Sequence, residues 1–141
     1  MKRNDIKKVL FILCGFAMTP AHAGVLRSFN EIYKSIQSGN NIRMVINFDN
    51  CKPKPPISNL SIFTEAHSVL LRNSYLQFAN SPLTTNNPGY PGKPVLENCT
   101  YRISDNNELS IVTRIITLPT YSVVAEITSI CPLDSAVTVF N

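Results

Sequence analysis

Apolar residues recur at helical spacing through Phe29, Ile32, Tyr33 and Ile36, then switch to strict alternation at Ile42, Met44, Ile46 and Phe48. The first spacing lays one apolar stripe along a helix, and the second gives a strand one apolar face. Ser28 stands three residues before Glu31, so its hydroxyl can accept the Glu31 N–H while the carboxylate reaches back. Gly39 falls where a left-handed residue ends a helix. These signals predict a helix over 29–38, a break at Gly39-Asn40-Asn41 and a strand over 42–48. So short a helix is marginal without a surface to lie on, and its stripe is expected to pack on a face of a sheet.

The rest of the chain is strand-like. Three prolines between Lys52 and Pro56 end the first ladder. Leu60, Ile62 and Thr64 alternate ahead of the apolar run Val69-Leu70-Leu71, which predicts a strand or a hairpin over 60–71. Arg72-Asn73-Ser74 reads as a turn before a strand from Tyr75 to Phe78. Asn80 to Pro94 carries four prolines and two glycines and is the one long irregular stretch; such loops often bind something. Tyr90 and Lys93 are its candidate contact residues, the plain alternative being a connection between strands. Strands are then predicted over 95–103, 109–118, 121–128 and 136–140, with a hairpin loop at Ser104 to Glu108 and a stop at Cys131-Pro132. Strands without intervening helices point to an α+β fold: one antiparallel β-sheet of about five to seven strands, with one N-terminal amphipathic helix on a face.

The first 23 residues alter how charge is read. Lys2, Arg3, Lys7 and Lys8 precede an apolar run from Val9 to Met18, and Ala21-His22-Ala23 follows. That order is a secretory signal peptide with cleavage expected after Ala23, leaving a single domain over 24–141. The run is too short to span a bilayer, so no membrane attachment is expected after cleavage. Cys14 lacks the small residues that precede a lipid-attachment cysteine. The whole chain has formal charge +4. Loss of those four basic residues and Asp5 takes thirteen Lys and Arg to nine and nine Asp and Glu to eight, a net +1. The remaining basic residues are scattered, without the clustered face that nucleic acid requires.

Cleavage also leaves three cysteines, Cys51, Cys99 and Cys131. An odd number in an oxidising compartment implies one disulfide and one unpaired thiol. Loop closure does not choose between the pairings, being worth about 4.5 kcal/mol for Cys51 with Cys131, about 4.1 for Cys51 with Cys99 and about 3.7 for Cys99 with Cys131. Local pattern favours the first. Alternation puts Cys99 with Val95, Tyr101 and Ile103 on a buried strand face, where a thiol behaves as a small hydrophobe. Cys51 and Cys131 sit beside prolines at element ends. A dimer linked through Cys99 remains a further reading.

Catalytic chemistry is sparse. His67 is the single histidine after cleavage and no C-x-x-C spacing occurs, so neither a metal site nor a cofactor is expected. A nucleophile and base would have to combine His67 with a cysteine or serine and Asp49 as orienter, which no spacing supports. The carboxylates are dispersed, and no glycine-rich phosphate loop is present.

The segments SFNEIYKSIQSGNNIRMVINFDNCKPKPP, YLQFANSPLTTNNP and ENCTYRI resemble the VirK family of small exported bacterial proteins, from about Leu26 to the C-terminus. The order of helix, glycine, hydrophobic strand and cysteine ending at Cys51 is the most specific part. The resemblance implies export and association with virulence regions of host-associated bacteria, and it supplies no catalytic residues. It also implies a histidine or similar residue within Ser81 to Thr85, where this chain has Pro82-Leu83-Thr84, and it marks Cys99 as an addition to the family pattern. The expected function is therefore a periplasmic or secreted, non-enzymatic accessory or binding protein with an unidentified protein or small-molecule partner. The alternative is a small exported hydrolase or host-directed effector whose site involves His67.

Overall fold

The computed structural model describes residues 24–54 and 59–141, so the segment over 1–23 read as a signal peptide and part of the proline segment lie outside the described residues. The helix α1 spans Phe29–Gln37, after a two-residue strand β1 at Val25–Leu26. Ser28 caps it, its hydroxyl accepting the Glu31 N–H at 3.4 Å. The Glu31 carboxylate accepts the Arg27 N–H at 2.6 Å rather than that of Ser28. At the other end Gly39 takes φ +85°. Its N–H donates to Ile36 at 2.9 Å and that of Asn40 to Ser35 at 3.1 Å, the paired bonds of a Schellman ending. Phe29 and Ile32 are buried in the core.

Strand β2, Arg43–Asn47, buries Met44 and Ile46 completely, and Phe48 begins a single 3-10 turn that runs to Asn50. Strand β3 is Ser61–Glu65. The chain then crosses to β4, Leu70–Arg72, and turns at Asn73-Ser74 into β5, Tyr75–Asn80. A two-residue β6, Leu83–Thr84, precedes three long strands: β7, Val95–Ser104; β8, Glu108–Thr117; and β9, Ser122–Pro132. The last strand, β10, is Val137–Phe140.

These strands form two antiparallel sheets where one was expected. The smaller has the order β1-β10-β2-β3, and the larger β4-β5-β7-β8-β9 with β6 also on β7. The division falls inside the segment read as a possible hairpin: β3 pairs with β2, and β4 pairs with β5. Ala66 still donates its N–H to Ile42 at 3.0 Å, and Ser68 takes φ +53°, turning the chain out of one sheet and into the other. A second crossing follows β9, because β10 inserts between β1 and β2. The expected stop at Cys131-Pro132 is where β9 ends, and the missing N–H of Pro132 falls on the outer side of an edge strand, where it costs no ladder bond.

One buried cluster joins the two sheets and the helix, with Ile32, Ile42, Met44 and Val139 meeting Leu76, Ile103, Leu109 and Ile111. Cys51 and Cys131 are bonded to each other across the sheets. Beside them Lys52 and Ile130 exchange both backbone hydrogen bonds at 2.8 Å. The larger sheet outruns the smaller, its strands reaching 10 and 11 residues against 5 for β2 and β3. Cys99, expected on a buried face, is half-buried and packs against this cluster from its margin.

Candidate functional site

The crossing from β3 to β4 leaves an open depression of about 580 Å³ at the seam of the two sheets, lined by Phe63, Thr64, Glu65, His67, Asn80 and Ser81 among others. Strand β3 is the edge of the smaller sheet and supplies the first three. The end of β5 supplies Asn80, beyond the last residue that β4 covers. Asn80 Nδ2 donates to Thr64 Oγ1 at 2.6 Å and so fastens the sheets together at the floor. Thr64 is buried there.

The rim is polar around one exposed ring. Phe63 is 65% exposed, and the His67 and Glu65 side chains lie 3.8 Å apart, Nε2 to Oε2. Ser81 Oγ accepts from Asn98 Nδ2 at 2.8 Å, which orients its hydroxyl. An aromatic face with a carboxylate, an imidazole and a hydroxyl around it can hold a small polar ligand that has one apolar side. The volume lies within the usual range of ligand sites, roughly 300–1,000 Å³.

The residues singled out from sequence are dispersed. His67 lines this depression, whereas Asp49 lines another and its two oxygens accept the Asn59 N–H at 3.0 and 2.9 Å. The His67 and Asp49 pairing that catalysis would have required, and that no spacing supported, is not formed among the described residues, and Glu65 stands beside His67 instead. Tyr90 and Lys93 lie elsewhere, in a loop that is tied down: Gly92 donates to Thr85 and Lys93 to Tyr90, each at 3.1 Å, and Asn87 Nδ2 donates to Glu97 Oε1 at 2.8 Å. Lys93 is exposed and Tyr90 half-buried. Cys99 approaches Thr113 Oγ1 at 3.5 Å. Burial, and secondarily the neighbouring Cys99, pushes the Tyr101 phenol above its ordinary range.

Phe63, Thr64 and Asn80 were not candidates from sequence. One signal for Phe63 was present: in the alternation of β3 it shares the phase of Ser61 and Glu65, an aromatic on the solvent side of a strand. Asn80 carries no such mark, because only the crossing brings it to Thr64.

Fold and site together define a small, β-rich protein of two antiparallel sheets stapled by an inter-sheet disulfide. The family model described as VirK protein matches residues 25–121, and the chain belongs to the VirK family. The fold is similar to that of lpg1832, a VirK family protein from Legionella pneumophila, with a TM-score of 0.79 at 22% identity, covering 84% of this chain and 100% of that one. At that identity the likeness carries the fold alone. No curated protein matches the chain.

Proposed function

We propose that this chain is an exported, virulence-associated binding protein, non-catalytic, whose ligand lodges in the depression between the two sheets. The carrying observation is that depression, with its exposed Phe63 ring beside Glu65 and His67 and its floor held by the Asn80 to Thr64 bond. Family membership supports the association with virulence. The Cys51–Cys131 disulfide supports export, because such bonds persist in the periplasm and outside the cell. The signal peptide over 1–23 belongs to the same reading. So does a helix resting on a sheet face, which the burial of Phe29 and Ile32 supports.

A thermal-shift screen of small polar metabolites against the purified protein tests this reading. Compounds that raise the melting temperature are expected, and Phe63→Ala and His67→Ala should each lose that shift while Tyr90→Ala keeps it. Hits that survive both of the first two substitutions would move the site elsewhere. The hydrolase reading has one observation in its favour, the Glu65 carboxylate beside His67. Turnover that vanishes in His67→Ala would replace the binding reading with that one.

A further inference from the structure

Strand β9 is an edge of the larger sheet, and it is unusually apolar for one. Tyr121 just before it is 70% exposed, and within it Val123 and Ile127 are each 56% exposed and Val124 43%. Edge strands with unpaired backbone groups and exposed apolar side chains are templates for another strand, and proteins ordinarily blunt them with charge, proline or a bulge. Here Glu126 supplies charge, but Arg114 Nε donates to its carboxylate at 2.6 Å. The edge therefore presents no uncompensated charge, and its partner must be neutral as well.

The backbone says which register is open. Ile130 exchanges both its N–H and its C=O with Lys52, so the residues of β9 whose backbone groups point outward are Ile130, Thr128 and Glu126. Lys52 occupies the edge at Ile130. A register shift in the pairing with β8 between Ile115 and Ile116 makes Val124 a bulge residue and ends regular geometry at Ala125. Among the described residues, the stretch from Ala125 to Ser129 has no backbone partner on its outer side.

We infer that this five-residue edge pairs antiparallel with the same edge of a second copy, about a two-fold axis through Ile127. Such an isologous contact sets outward-pointing Glu126 opposite Thr128 of the other copy, so that both residues exchange hydrogen bonds with their opposites. The neighbouring two-fold registers fail. An axis at Glu126 would oppose two carboxylates, an axis at Thr128 would need the position that Lys52 holds, and an axis at Ala125 would run into the bulge. At the Ile127 axis the two isoleucines meet in the closer, non-hydrogen-bonded pairing, flanked by Ala125 against Ser129, two small side chains that permit approach. The row Cys99, Thr113 and Ile127 continues across the axis as one sheet. So short an interface belongs with weak association, and the dimer forms only at high concentration.

Sedimentation velocity over a series from micromolar to millimolar protein is the first measurement. The wild-type sedimentation coefficient is expected to rise toward the dimer, and Ile127→Lys, which opposes two ammonium groups at the axis, to stay at the monomer value throughout. Register is tested in a Cys99→Ser background with Ile127→Cys and, separately, Val123→Cys, two positions of equal exposure. Mild oxidation is expected to convert most of the Ile127→Cys protein to a disulfide-linked dimer on non-reducing gels and to leave Val123→Cys monomeric, with peptide mapping showing Cys51–Cys131 intact in both. Equal cross-linking of the two variants overturns the register. A protein that remains monomeric at every concentration, whether or not it takes up an unrelated extended peptide, overturns the proposal.

Discussion

Asn107 holds together three parts of the fold from one position in the loop between β7 and β8. It takes φ +61°, its Oδ1 accepts the Phe29 N–H at 2.7 Å at the start of the helix, and its C=O accepts the Leu133 N–H at 3.0 Å just past β9. Asn is among the few residues that adopt this backbone at low cost. Asn107→Ala loses both the cap and the favoured conformation and should cost about 2 kcal/mol in urea unfolding. Asn107→Gly keeps the conformation and should cost about half as much. Tyr101 gives a second residue-level expectation. Its phenol is pushed up by burial, so the folded state keeps a proton that the unfolded chain releases near pH 10. Stability is thus full below that pH and falls as pH rises through the folded value. Tyr101→Phe should flatten this alkaline loss, as read from unfolding midpoints across that range.

At the scale of elements, α1 has 9 residues and depends on its packing for stability. Ile32 is fully buried, so Ile32→Ala should cost about 2–5 kcal/mol. Because the helix has little stability of its own, amide exchange over 30–38 should accelerate more than exchange in β7 and β8. This element was legible in the sequence because its determinants are local: Ser28, the apolar stripe and Gly39 all lie within a dozen residues. The β7 and β8 hairpin was legible for the same reason. The partition into two sheets was not, since nothing near Glu65-Ala66-His67 shows that β3 will find β2 while β4 finds β5. The depression inherits that difficulty. Thr64 and Asn80 are 16 residues apart in sequence and meet only because the chain changes sheets between them.

For the whole molecule, the covalent tie between sheets is a contribution that can be isolated. Cys51 and Cys131 are 80 residues apart, and closing such a loop in the unfolded chain is worth about 4.5 kcal/mol in the chain-entropy account. A Cys51→Ala, Cys131→Ala double variant should lose about that much in denaturant unfolding. The loss is a large part of what an ordinary domain possesses, about 5–15 kcal/mol. Alternation foresaw the pairing correctly, since Cys99 lies on a strand face and the other two lie at element ends. It could not foresee that the bond would join two sheets.

The position of β10 bears on timing. The smaller sheet has its second strand, Val137–Phe140, between β1 and β2, so its first and last strands in sequence must meet before it is complete. Pairings of such long range form slowly. On the exported reading proposed above, a chain threaded through a membrane from its N-terminus would present Cys51 and Cys99 to the oxidant before Cys131 emerges, and before β9 is in place to offer Cys51 its native partner. Translocation in that order would favour the wrong bond, which later exchange must undo. Brief-pulse alkylation during export should trap a transient Cys51–Cys99 species, and Cys99→Ser should shorten the time to the native disulfide.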